Sequence, residues 1–184
     1  MLTSLAVPPR SVPAACVLAA LAAVPAFAQA PESLDAPAYR VVRPTLATAG
    51  QPSPEAIGKL ADVGFKTVVN LRMESEEGVP EEGQAVRELG LGYVHVPISP
   101  ATFSLEDVEA VASVLDDAGQ APVLLHCASA NRVGGVWAVM QVQRGVARET
   151  AIQEGREIGL RDGVMLEAVE RLLDGLESPQ PPGE

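Results

Sequence analysis

The chain has 184 residues, 47% of them hydrophobic, which allows one domain with a substantial core. Its formal net charge of −11 excludes nucleic acid and anionic membrane surfaces as natural partners, because both would repel it.

From the amino end, Met1 to Ala28 carries a single positive charge at Arg10, then an uncharged stretch closing on Ala26-Phe27-Ala28. That pattern predicts a secretory signal peptide over residues 1–28 and an exported product, periplasmic or secreted. Pro13 and Pro25 interrupt the stretch, which falls short of the ~20 apolar residues of a spanning helix, so no stable membrane anchor is expected. Cleavage would remove Cys16 and leave Cys127 as the lone thiol, so no disulfide can form within the mature chain. Residues 29–38, with Pro31 and Pro37, predict a disordered linker, and the proline-rich residues 178–184 a disordered tail.

Between those ends, residues 39–177 alternate apolar runs with amphipathic segments closing on glycine. This is the pattern of an α/β fold with a largely parallel sheet flanked by helices. Arg40 to Arg43 predicts an edge strand. Pro54 to Val63 predicts a helix capped by Ser53, with Pro54 at its first position and Gly64 at its end. Phe65 to Leu71 predicts a first central strand, Glu81 to Leu89 a helix, and Gly92 to Ile98 the next strand. Leu105 to Ala118 predicts an amphipathic helix with Leu105, Val108, Val111 and Leu115 on one face. A buried strand then runs from Pro122 towards Cys127, and a helix follows from about Arg132 to Arg144. Glu149 to Ile158 and Val164 to Leu176 predict two closing helices.

The chemistry concentrates at Pro122-Val123-Leu124-Leu125-His126-Cys127-Ala128-Ser129-Ala130-Asn131-Arg132-Val133-Gly134-Gly135. Cys127 ends a buried strand, and in open α/β sheets that edge is where ligands bind. The amides of Ala128 to Val133 and the following helix N-terminus are placed to converge on one anion. Arg132 can clamp that anion bidentately, which a lysine cannot. The same field favours a Cys127 thiolate that can attack phosphorus. His126 is expected to fix the loop through its ring nitrogens, and Ser129 and Asn131 to make hydrogen bonds within it. His95, inside a predicted strand, is expected to be structural. An exported chain with one free thiol needs a reason for it, and a catalytic cysteine supplies one.

His126-Cys127-x5-Arg132 resembles the signature loop of the cysteine-dependent protein tyrosine and dual-specificity phosphatases. Together with Ala49-Gly50-Gln51-Pro52-Ser53-Pro54-Glu55 and Gly64-Phe65-Lys66-Thr67-Val68-Val69-Asn70-Leu71-Arg72, it resembles the bacterial phosphatase-like domains named after the beta-lactamase hydrolase-like protein. The resemblance spans roughly residues 40 to 176. It implies a three-layer α/β fold and hydrolysis of a phosphorylated protein or small phosphate ester through a phosphocysteine, with no metal, cofactor or obligate protein partner.

Two departures stand out. Related phosphatases place an acidic general acid in the loop after the strand ending here near Ile98. Residues 99–104 hold no acid, and the next are Glu106 and Asp107. Asp107 is the candidate, although Ser104 and Asp107 also fit a helix capping box. Glu74, Glu76 and Glu77 compete for the role, and Arg72 either reaches substrate or pairs with one of them. Val133 stands where many phosphatases carry a hydroxyl that stabilises the departing thiolate, which implies slower turnover, a rate-limiting second step or a substrate unlike phosphoprotein. Two other readings use the same loop: a sulfurtransferase or arsenate reductase, and an oxyanion-binding or sensing module without turnover.

Overall fold

Five strands form one sheet in the order β1-β2-β5-β3-β4. They are β1 (Arg40–Arg43), β2 (Leu46–Ala49), β3 (Thr67–Asn70), β4 (Gly92–His95) and β5 (Val123–His126). β1 runs antiparallel to β2, and the other three pairings are parallel. The computed structural model describes residues 29–177; the expected signal peptide and the tail at 178–184 lie outside the described residues.

Every residue of β2, β3 and β5 is buried, as strands covered on both faces must be. Alternation along the strands splits the core in two. Ala47, Val68 and Leu124 point into a cluster with Ile57, Leu60, Phe65 and Val86. Their neighbours Leu46, Val69 and Leu125 point the other way, onto Val111, Val136, Met140 and Val169. α1 (Pro54–Gly58) and α2 (Val79–Glu88) cover the first face; α3 (Leu105–Asp116), α4 (Asn131–Gln143), α5 (Arg148–Ile158) and α6 (Val164–Glu177) supply the second.

β2 is the strand the sequence pattern did not reveal. Leu-Ala-Thr-Ala has little β-branched content, and its place is set by pairing, Leu46 against Val123 through Ala49 against His126. α1 is shorter than expected. Its last amide, from Lys59, donates to both Ala56 and Ile57 carbonyls, and turns carry the chain from there to Gly64. Residues 29–38, where a linker is expected, make contacts with the domain: Ala30 is buried and donates to Pro44 O at 2.6 Å, and Gly50 N donates to Pro37 O at 2.6 Å. Tyr39 also donates its hydroxyl to Pro31 O. Proline-rich composition hid a segment that folds back as a strap.

α4 is buried along its length, from Val133 to Met140. It crosses α5 backbone to backbone. A Cβ added at Gly134 would fall 2.4 Å from Gly155 O, and one at Gly155 would fall 2.5 Å from Gly134 O. That contact fixes where α4 begins, and hence where the loop after β5 must close.

Candidate active site

β5 delivers His126 and Cys127 to the carboxyl edge of the sheet, with β2 and β3 on either side. The chain then turns through Ala128 and Ser129, both exposed, into α4. Gln51 N donates to Ala128 O at 3.1 Å and Gly50 bridges Ser129, so the extension of β2 braces one wall of the loop. The turn requires Ala130 at φ 63°, a left-handed conformation that an alanine rarely adopts. Its methyl group is accommodated because Gly159 lies against it; a Cβ there would sit 2.7 Å from that of Ala130. No side chain caps α4, which leaves its first amides open to an anion.

Arg132, in the first turn of α4, points back over the loop. Its Nη1 donates to Glu76 Oε1 at 2.6 Å and to Ile98 O at 3.3 Å, and its Nη2 to Glu76 Oε2 at 2.9 Å. Cys127 lies near enough to act electrostatically on the same guanidinium. Both Nη1 hydrogens are thus taken, while Nε and one Nη2 hydrogen remain for an oxyanion. Burial pushes the Arg132 pKa down, but the Glu76 hydrogen bonds and the charge of Cys127 push it further up, so the net shift is upward. The Glu76 carboxyl is pushed down to about 2, chiefly by the hydrogen bonds from Arg132 and with help from the Met73 amide at 2.7 Å.

Behind the loop lies a buried polar network. His126 Nε2 pairs with Glu82 Oε1 at 2.8 Å. The other Glu82 oxygen accepts from Gln51 Nε2 at 2.6 Å, and Asn70 Nδ2 donates to Oε1 at 3.0 Å. Burial raises the Glu82 pKa, but these bonds and the nearby charges of His126 and Arg72 outweigh it, so Glu82 is held below the ordinary carboxylate range. His126 therefore ties β5 to α2 instead of holding the loop; its Nδ1 has no hydrogen-bond partner among the described residues.

Arg72 is almost fully buried and engages the protein itself. It donates to Gln51 Oε1 at 2.7 Å, to Glu77 O and, weakly, to Glu76 Oε2 at 3.5 Å. It lines, with Gln51, Ile57, Glu82 and Ala85, a cavity of about 400 Å³ between α1 and α2 that neither Cys127 nor Arg132 borders. Asp107 is occupied as well. It closes a capping box in which Ser104 N donates to its Oδ2 at 3.0 Å and its own N–H donates to Ser104 Oγ at 3.3 Å. Asn131 bonds outward instead of within the loop, its Oδ1 accepting from Arg161 N at 2.9 Å, and Ser129 O accepts from Arg161 Nη2 at 2.9 Å. His95 is structural, its Nε2 within 2.6 Å of Arg72 O. Val133 is fully buried in the same core cluster as Cys127.

Sequence reasoning missed Glu82 and Arg161. Glu82 was detectable, since it sits one turn before Val86 on the inward face of α2, where a carboxylate needs a partner. Arg161 stands in an irregular connection and carried no signal. No helix among the described residues is long and apolar enough to cross a membrane.

Comparison with known proteins agrees with this geometry. The chain is 29% identical over 112 residues to the beta-lactamase hydrolase-like protein of Xylella fastidiosa (strain Temecula1), a match covering 59% of this chain and 26% of that protein. It thus spans about a quarter of that relative's length. The fold matches the crystal structure of a DUF442 phosphatase from Shewanella putrefaciens CN-32 with TM-score 0.62 and 23% identity, over 77% of this chain and 90% of that one. It matches Tk-PTP in its active form equally well, with TM-score 0.62 and 22% identity, over 75% and 97% of the two chains. The sheet flanked by helices is therefore the fold of the protein tyrosine phosphatase-like enzymes. With residues 38–144 matched by the family model "Beta-lactamase hydrolase-like protein, phosphatase-like domain", the chain belongs to that phosphatase-like family.

Proposed function

We propose that the protein is a cysteine-dependent phosphatase acting on phosphate monoesters. The observation that carries this is a buried free Cys127 at the carboxyl end of β5, followed by an uncapped helix N-terminus whose first turn holds Arg132. In the first step the Cys127 thiolate attacks phosphorus in line with the ester oxygen. The S–P bond forms as the P–O bond breaks, and the leaving alkoxide or phenoxide takes up a proton. The loop amides and the free Arg132 donors stabilise the charge on the equatorial oxygens. Water then attacks the phosphocysteine, releasing phosphate and returning the thiolate.

The substrate is a phosphorylated protein or a small phosphate ester. The signal-like residues 1–28 support a reaction outside the cytoplasm.

The test is hydrolysis of para-nitrophenyl phosphate by fully reduced protein between pH 5 and 8, beside Cys127→Ser. We expect turnover that drops by about three orders of magnitude or more in the variant, with a phosphocysteine trapped by rapid quench of the wild type. No turnover combined with tight binding of inorganic phosphate would replace this reading with the oxyanion-binding module, which the acid-free loop at 99–104 also fits.

A further inference from the structure

The charge balance around the cradle leaves exposed arginines unspent among the described residues: Arg171 donates to Pro100 O at 3.0 Å, and Arg161 touches the loop after β5 itself. Arg132 pairs with Glu76, and Arg72 lies 3.5 Å from Glu76 and 3.7 Å from Glu82. These four groups sum to no net charge, in a chain that is strongly acidic overall. Arg161 is different. It is exposed, and among the described residues it has no carboxylate partner; the adjacent Asp162 is taken by Arg156 at 2.6 Å.

Its position is fixed by the catalytic loop itself. Its backbone N–H is held by Asn131 Oδ1, and its Nη2 donates to Ser129 O, each at 2.9 Å. Gly159, two residues earlier, lies against Ala130. The segment from Gly159 to Arg161 is thus a wall of the cradle, and the guanidinium sits on its outer rim with four of its five hydrogens unassigned.

We infer that Arg161 forms a second anion subsite, reading a negative group next to the phosphate being hydrolysed. The inference rests on the phosphatase reading. The substrate class it assigns is a doubly anionic phosphate, with a carboxylate or a second phosphoryl group beside the scissile one. An arginine here suits either, because its planar fork can keep Ser129 O on one edge and offer the other to the ligand. The remaining acidity of the surface discourages anions elsewhere and sharpens the contrast at this rim.

The variant that isolates the charge is Arg161→Gln, whose amide can still donate to Ser129 O, with Arg161→Lys restoring the cation. One arm compares kcat/KM for a phosphotyrosine peptide flanked by glutamate with the same peptide flanked by glutamine. The other measures, by calorimetry, the affinities of methylenediphosphonate and methylphosphonate. Wild type should favour the doubly charged member by about two- to fivefold, the range of one exposed ion pair. The ratio should fall to about one in R161Q, persist in R161K, and fade in 0.5 M salt.

A preference confined to the peptide arm assigns a carboxylate, and one confined to the diphosphonate arm assigns a second phosphoryl group. A ratio unchanged in R161Q, a wild-type ratio of one in both arms, or an equal loss for both members would overturn the subsite. The calorimetric arm needs no turnover, so failure of the phosphatase reading and failure of the subsite give different results.

Discussion

Glu76 and Arg132 face each other through two parallel hydrogen bonds of 2.6 and 2.9 Å, although 56 residues separate them in the chain. The pair occupies the Nη1–Nη2 end of the guanidinium and leaves its Nε side for a ligand. Glu76→Ala should therefore free Arg132 to swing and lower kcat/KM for para-nitrophenyl phosphate by about ten- to a hundredfold, the usual result of misplacing a charged clamp. Steady-state kinetics of the folded variant checks this; an unchanged kcat/KM would show that Arg132 is oriented without Glu76.

The same pair predicts a pH dependence of stability. Glu76 in the folded protein is held at about 2, below the ordinary glutamate value of about 4.3. A depressed carboxylate contributes fully above its unfolded pKa, and the contribution disappears as pH falls through the folded one. Wild type should therefore exceed Glu76→Gln by about 1–3 kcal/mol at pH 6, and the gap should close between pH 5 and pH 2. Urea unfolding at both ends of that window reads it directly.

Removal of Glu82 should damage the fold more than the chemistry. The carboxylate serves His126, Gln51 and Asn70 at once and is almost fully buried, so Glu82→Ala strands several polar groups in the interior. Breaking a buried pair from one side costs about 3–5 kcal/mol, which corresponds to a drop in Tm of roughly 10 °C for a domain of this size. A thermal shift under about 3 °C would mean that water replaces the carboxylate cheaply.

Val133 bears on the second step. It is fully buried in the same core cluster as Cys127 and carries no hydroxyl to stabilise the departing thiolate. Rapid mixing with para-nitrophenyl phosphate should show a burst of nitrophenol, about one per Cys127, followed by a slower steady state. Val133→Thr, which nearly conserves volume, should raise the steady rate without enlarging the burst. A linear time course from the first turnover would place the slow step before phosphocysteine forms.

The acid-free loop at 99–104 and the capped Asp107 together predict a dependence on the leaving group. Proton delivery in the transition state is worth about 10²–10⁴ in rate, and it matters most for poor leaving groups. Aryl phosphates should thus outpace alkyl phosphates by about a hundredfold or more in kcat/KM. Asp107→Ala should cost about 1 kcal/mol of stability as a lost cap, and the acidic limb of its pH–rate profile should match that of the wild type. Loss of that limb in the variant would restore Asp107 as the acid.

The catalytic loop was legible because its elements are local. A buried apolar run, a cysteine, five residues and an arginine suggest strand, candidate nucleophile and candidate clamp by spacing alone, and the structure has β5 end at His126 and α4 begin at Asn131 on either side of that loop. Most helices were legible for the same reason, through periodicity and terminal glycines. What the chain could not declare were relations between distant segments. β2 is a strand because β1 and β5 flank it, not because Leu-Ala-Thr-Ala favours one. Residues 29–38 meet Pro44 O and Gly50 N, contacts their composition does not announce.

The site divides along the same line. The sequence by itself marked the candidate nucleophile and its arginine, since both lie on one continuous stretch of strand, loop and helix. Only the tertiary structure decided what surrounds them. It gave Glu76 to Arg132, Glu82 to His126, and Arg161 to the rim. Each of those contacts joins segments between 32 and 56 residues apart. Their electrostatics depend on which buried groups meet across the sheet, and no local propensity encodes that.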